Sequence, residues 1–215
     1  MVKVKICGFT NADDVKVACE LGADMVGVIL VPGSTRCVTV EQAKRILAAT
    51  SGGVAKVAVI MPRHPSELDR FVRELKPDYL QIHLTFSEDE LLKAKKRLGV
   101  KLIPVVAIPQ KVENYHEILE RAAKASEVAD YLLLDTKGPS GGGTGLTHDW
   151  GVSWQIRETV NTPVFLAGGL NPSNVRKAIE AVRPYGVDVA TGVESSPGKK
   201  DEGLMREFIE AAKAM

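Results

Sequence analysis

Hydrophobic and polar positions alternate along this chain in one repeated rhythm. Short runs rich in Val, Ile and Leu are followed by turn residues and then by an amphipathic stretch. The runs are "VKVKIC", "MVGVIL", "VAKVAVI", "YLQIH", "KLIPVVAI", "YLLLD", "PVFLAG" and "VDVATG". The stretches between them have helical spacing: Leu68, Phe71, Val72 and Leu75 recur at i, i+3, i+4 and i+7, as do Val175, Ala178, Ile179 and Val182. Ser66 before Glu67, Ser87 before an acidic first turn, and Asn171-Pro172 at the seventh helix read as helix starts. Nearly continuous apolar strands predict a parallel sheet covered on its faces. Strict alternation of strand and helix predicts an α/β fold. A doubly wound open sheet and a closed (β/α)8 TIM barrel both satisfy this pattern. Eight units within 215 residues favour the compact barrel, with residues 1–215 forming one domain. The most irregular segment, "TKGPSGGGTGLTHDWG", falls inside the sixth unit and marks no domain boundary.

Composition narrows the function classes. Apolar residues make up 45% and charged residues 26%, a mix ordinary for a globular protein. The net charge of +1 implies no pull toward nucleic acid or an anionic membrane. No apolar run approaches the roughly 18–20 residues of a membrane span, and no secretory leader is expected at the N-terminus. The expected location is the cytoplasm. Cys7, Cys19 and Cys37 are odd in number and form no C-x-x-C pair, which argues against a disulfide framework or a zinc knuckle. Charged stretches such as "SELDRFVRELK" read as solvated helix faces.

In a barrel the site lies at the C-terminal ends of the strands and in the loops that follow. Gly168-Gly169 follow the seventh run, and Thr191-Gly192 follow the eighth. Glycines there let backbone N–H groups approach an anion, and these two loops form the usual phosphate site of barrels. The plain alternative is a pair of tight turns; the coincidence of both loops favours phosphate. Gly143 and Gly145 in "GGGTG" add further candidate donors. Asp135 ends an apolar run, where desolvation would raise its pKa and suit it to act as a general acid; capping the glycine-rich loop is the alternative. Cys7, at the end of the first run, reads from its own neighbourhood as a small packed hydrophobe, unless a cationic pocket makes it a thiolate. Arg36 in "PGSTRCV" is either a bidentate clamp for a substrate carboxylate or a solvated loop residue. His83 is an acid–base group or a rim histidine. Asp188 orients substrate or makes a structural hydrogen bond.

Together, "KICGFTN", "PGSTRCV", "LQIH", "LLDTK…GGTG…DW", "LAGGLNPSNV" and "DVATGVESSPGKKD" resemble the phosphoribosylanthranilate isomerase family of tryptophan biosynthesis, in order and along the whole chain. The resemblance implies an Amadori rearrangement of N-(5-phosphoribosyl)anthranilate to 1-(2-carboxyphenylamino)-1-deoxyribulose 5-phosphate, with no metal or organic cofactor. It implies Cys7 as general base, Asp135 as general acid and Arg36 as the holder of the anthranilate carboxylate. The expected partner is a phosphorylated small molecule, and the expected state a monomer or homodimer. Two positions depart from the family pattern. Leu84 follows His83 where glycine is usual, which bears on any role carried over to His83, and Phe9 replaces isoleucine. Two rival readings stand beside this one. The sister isomerase of histidine biosynthesis uses an aspartate where Cys7 stands, and "MPRHPSE" after the third strand lacks its second glycine-rich loop. A phosphate-binding barrel without turnover is the other.

Overall fold

The computed structural model describes residues 1–64, 66–83, 87–136, 138 and 145–214, with Glu88 described by its backbone alone. Eight parallel strands close into a barrel in chain order: β1 (Lys3–Cys7), β2 (Met25–Ile29), β3 (Ala55–Ile60), β4 (Tyr79–His83), β5 (Lys101–Ile108), β6 (Leu132–Thr136), β7 (Val164–Leu166) and β8 (Gly186–Val189). A helix follows each: α1 (Ala12–Glu20), α2 (Val40–Ala48), α3 (Ser66–Leu75), α4 (Glu88–Leu98), α5 (Tyr115–Val128), α6 (Trp150–Thr159), α7 (Val175–Val182) and α8 (Glu202–Lys213). This is the expected (β/α)8 barrel. The strand–helix rhythm does not anticipate what stands between β8 and α8. There a 3-10 turn (Thr191–Val193) leads into a small antiparallel hairpin, β9 (Glu194–Ser196) and β10 (Lys199–Lys200). Among the described residues no helix is long and apolar enough to cross a membrane.

Closure follows from β1 having two partners. Lys5 lies beside Met25 of β2 on one side and beside Asp188 of β8 on the other. A closed sheet leaves no strand edge unpaired. It also buries both faces, so the Val–Lys alternation of "VKVKIC" does not separate a dry face from a wet one. Val4 and Ile6 point outward, into the layer under the helices that also holds Val26, Val28, Ala58 and Leu80. Lys5 and Cys7 point into the barrel, Lys5 fully buried. The lower interior is filled by Met25, Val57, Tyr79, Ile103, Leu133 and Phe165, so the barrel is a packed core and not a pore. The polar side chains that share the inward face lie above this plug.

Several boundaries differ from the sequence reading. β2 stops one residue short of Leu30, while β5 and β6 run one residue past Ala107 and Asp135. Ser87 caps α4 in a capping box with Glu90, as expected. Ser66 is the first residue of α3 and not its cap. α7 begins a turn later than Asn171-Pro172. The side chain of Asn174 accepts from the Asn171 amide at 2.8 Å and donates to Gly169 O at 2.9 Å, which makes residues 171–174 a separate turn.

Candidate active site

One pocket opens at the C-terminal ends of the strands. Its lining brings together Cys7, Arg36, His83, Asp135, Gly145, Gly168, Gly169, Asp188, Thr191 and Gly192, ten of the expected residues. Gly143 lies outside the described residues, and so does Leu84, the departure after His83. Among the described residues no cluster of three or more His, Cys, Asp or Glu side chains is placed to hold a metal ion.

The floor of the pocket is a buried charge pair. Lys5 Nζ donates to Asp188 Oδ2 at 2.9 Å, with both side chains nearly or wholly buried. The neighbouring strand carries Gly27, where a Cβ would lie 2.9 Å from Cys7 Sγ and 3.5 Å from Lys5 Nζ. The missing side chain thus lets thiol and ammonium meet above β2. Asp188 Oδ1 and Gln81 Oε1 are buried and have no hydrogen-bond partner among the described residues. Both residues line the pocket, so these two acceptors are available to hydroxyl donors entering it.

Electrostatics separate the two candidate acid–base groups. Burial, reinforced by the nearby Asp188 carboxylate, raises the pKa of Asp135 to about 7, although the Thr136 amide donates to its Oδ1 at 2.8 Å. At neutral pH Asp135 is therefore divided between acid and carboxylate. Burial also pushes the Cys7 thiol up; Lys5 and Lys200 pull it down, and Asp188 adds to the rise. The two lysines do not outweigh burial, so the net direction at Cys7 is upward. Burial lowers the pKa of His83, which keeps the ring neutral.

The glycine loops are required by packing as well as by any ligand. Gly168 has φ of +88°, and a Cβ there would come within 2.1 Å of Thr136 Oγ1. Thr136 Oγ1 lies 2.9 Å from His148 Nδ1, and His148 Nε2 lies 2.6 Å from Ser153 Oγ. Burial holds His148 neutral, with a pKa near 4. This buried chain ties the end of β6 to α6 behind the loop after β7.

Arg36 departs from the expected two-nitrogen clamp on a substrate. Its Nε and Nη2 each donate to Glu194 at 2.7 Å, and Nη2 also donates to Thr191 Oγ1 at 3.0 Å. A guanidinium has five N–H donors. Three are engaged, and the remaining two both sit on Nη1. Lys200 Nζ in turn donates to Glu194 Oε1 at 2.9 Å and to Ala190 O at 3.0 Å.

Sequence reasoning singled out neither Lys5 and Gln81 inside the barrel nor Glu194 and Lys200 behind Arg36 as site residues. The available signal was parity. Lys5 and Gln81 lie two residues before the strand-end candidates Cys7 and His83 and so share their inward face. Glu194 and Lys200 had a different signal: both stand in the closing stretch "DVATGVESSPGKKD" that carries the resemblance, but no site role was attached to them.

Comparisons with known proteins agree with this geometry. The family model for N-(5'-phosphoribosyl)anthranilate (PRA) isomerase matches residues 4–211. The N-(5'-phosphoribosyl)anthranilate isomerase of Methanocella arvoryzae is 44% identical over 98% of this chain and 97% of that one. A phosphoribosylanthranilate isomerase crystallised with reduced 1-(o-carboxyphenylamino)-1-deoxyribulose 5-phosphate is similar over the whole of both chains, with a TM-score of 0.85 at 34% identity. Monomers generated from the dimeric enzyme of Thermotoga maritima also match over both full chains, with a TM-score of 0.86 at 35% identity. A match of this length and identity, on a closed eight-stranded barrel with the expected strand-end residues around one pocket, settles the family: the chain belongs to the N-(5'-phosphoribosyl)anthranilate isomerases.

Proposed function

We propose that this pocket carries out the Amadori rearrangement of N-(5-phosphoribosyl)anthranilate with Asp135 as general acid and Cys7 as general base. The observation that carries the assignment is the raised pKa of Asp135, about 7, at a strand end that shares one pocket with a thiol. A carboxyl that is half protonated at neutral pH can donate. Asp135 gives its proton to the furanose ring oxygen as the C1–O bond breaks, and the nitrogen lone pair forms a protonated Schiff base. This cation acidifies C2–H. The Cys7 thiolate, with the Lys5 ammonium beside it, takes the C2 proton, and the electrons of the C–H bond form the enolamine. A proton then moves from the C2 hydroxyl to C1, leaving the ketone. The rearrangement is redox-neutral overall.

Binding is assigned on the same basis. Gly145, Gly168, Gly169, Thr191 and Gly192 surround the phosphate. Arg36 Nη1 faces the anthranilate carboxylate. His83 and Asp188 contact the sugar, where the unpartnered Asp188 Oδ1 and Gln81 Oε1 suit ribose hydroxyls. The chain acts as a monomer or homodimer, and a dimeric relative supports the second state. Three free thiols fit a cytoplasmic setting. The test follows the fluorescence of the anthranilate substrate on incubation with the protein. Its loss is expected for the parent chain and not for Cys7→Ser or Asp135→Asn. A parent chain that binds the product analogue without consuming substrate would reduce the site to phosphate binding alone.

A further inference from the structure

We propose that Lys200 is a positioning residue for substrate recognition. It restores positive charge to a guanidinium that Glu194 has already neutralised, and so selects a ligand carrying an aryl carboxylate. The inference rests on the reading that Arg36 faces that carboxylate.

Arg36 and Glu194 form a buried pair through two 2.7 Å contacts, and the pair alone is neutral. A neutral pair with a single nitrogen left to donate attracts an anion weakly. Burial lowers the pKa of Lys200 and the Glu194 carboxylate opposes that shift; protonated, Lys200 adds one cation to the pair, and the group of three carries a net single positive charge. Lys200 is built for this position: its side chain is fully buried, and the Glu194 side chain is 3% exposed. Its ammonium is 5.6 Å from the centre of the Phe9 ring, which offers a π face where the family pattern has isoleucine. Its backbone amide donates to Asp14 Oδ2 at 2.9 Å, which fixes the hairpin strand against α1. The aliphatic part of Arg36 lies over Gly8, where a Cβ would come within 2.5 Å of Cδ. The guanidinium is thus held from below and from one side. Neither Lys200 nor Glu194 lines the pocket. Their action on a ligand passes through Arg36 and through the field, which a low-dielectric surrounding screens weakly.

The experiment compares two ligands by calorimetry on the parent and its variants. The ligands are the reduced product analogue and its aniline counterpart, which lacks only the ring carboxylate. The variants are Lys200→Met, Lys200→Arg, Lys200→Gln and Arg36→Ala. For Lys200→Met the expected result is about a tenfold loss of affinity for the carboxylate-bearing analogue and less than a twofold change for the aniline counterpart. With substrate, the loss in kcat/KM falls on KM. Lys200→Arg, which keeps the charge, recovers most of the loss. Lys200→Gln keeps a donor for Glu194 but not the charge, and it behaves like Lys200→Met; it replaces that variant if the methionine form does not fold. Equal losses for both ligands would make Lys200 a structural residue and overturn the inference. Arg36→Ala separates the two levels. If it discriminates between the ligands and Lys200→Met does not, the inference falls and the assignment of Arg36 stands. If neither discriminates, both fall.

Discussion

As the proposed acid and base, Asp135 and Cys7 would have to share one proton, and that requirement shapes the expected pH dependence. Below the Asp135 value of about 7 both groups are protonated and no base is present. Above the Cys7 value, which burial places higher than that of a free thiol, both are ionised and no acid is present. The profile of kcat/KM is therefore bell-shaped, with an acid limb near pH 7 and an alkaline limb above the ordinary thiol range; the two limbs belong to the coupled pair. Cys7→Ser is expected to lower kcat about a thousandfold at unchanged stability, because a hydroxyl is a far weaker base at similar size. Asp135→Asn is expected to lose comparable activity while keeping affinity for the product analogue. The same substitution has a thermodynamic signature. Between about pH 4 and 7 the folded chain binds more protons at Asp135 than the unfolded chain does, so stability falls as pH rises through this window. Asparagine removes that loss and still accepts from the Thr136 amide. Asp135→Asn should thus melt higher than the parent at pH 8, by about 1–3 kcal/mol in stability, and show little difference at pH 4. Equal melting shifts at both pH values would contradict the raised pKa. Both residues were legible as strand ends. What the sequence argument could not weigh was the balance at Cys7, where the size of the burial effect against Lys5 depends on how deep the pocket floor lies.

Among elements, the end of β6 and the loop after β7 lock together. Gly168→Ala forces a methyl group against Thr136 Oγ1 in a left-handed backbone. It is expected to lower stability by about 2–4 kcal/mol and to weaken inhibition by inorganic phosphate, measured on the same preparation. An alanine variant with unchanged melting would mean that the loop relaxes freely. Sequence pattern located strands and helices well, because eight apolar runs separated by amphipathic stretches leave few alternatives. It failed where polar side chains reshaped a helix start, as Asn171 and Asn174 do. It also missed the β9–β10 hairpin, whose residues "ESSPGKK" have no apolar period to read. That hairpin carries Glu194 and Lys200, which the sequence showed only as part of a motif, with no fold to place them behind Arg36.

In the whole molecule, α8 closes the ring of helices where the ends of the chain meet. α8 packs against α1 and α7 and lies over β1. It contributes Met205, Phe208, Ile209 and Ala212 to the core, all nearly or wholly buried. Phe208→Ala leaves a cavity at this seam and is expected to cost about 3–5 kcal/mol, with a fall in melting temperature of about 10 °C. Unfolding followed by fluorescence and by far-ultraviolet circular dichroism should stay coincident, because one closed sheet leaves no part to melt alone. Separate transitions would show that the barrel halves are independent.

The seam also sets when the site can exist at all. Lys5 and its carboxylate partner Asp188 are 183 residues apart in the chain. A ribosome adding roughly 5–20 residues per second makes the ammonium some ten to forty seconds before the group that neutralises it. During that interval β1 has a charge to bury and no counter-ion in register with it. The nascent chain can gather helices and inner strands, but it has no reason to draw its first strand inward until the eighth has left the exit tunnel. On this order of events the thiol of Cys7, the proposed base, meets a lysine that is already paired with Asp188 only in a chain that is almost complete.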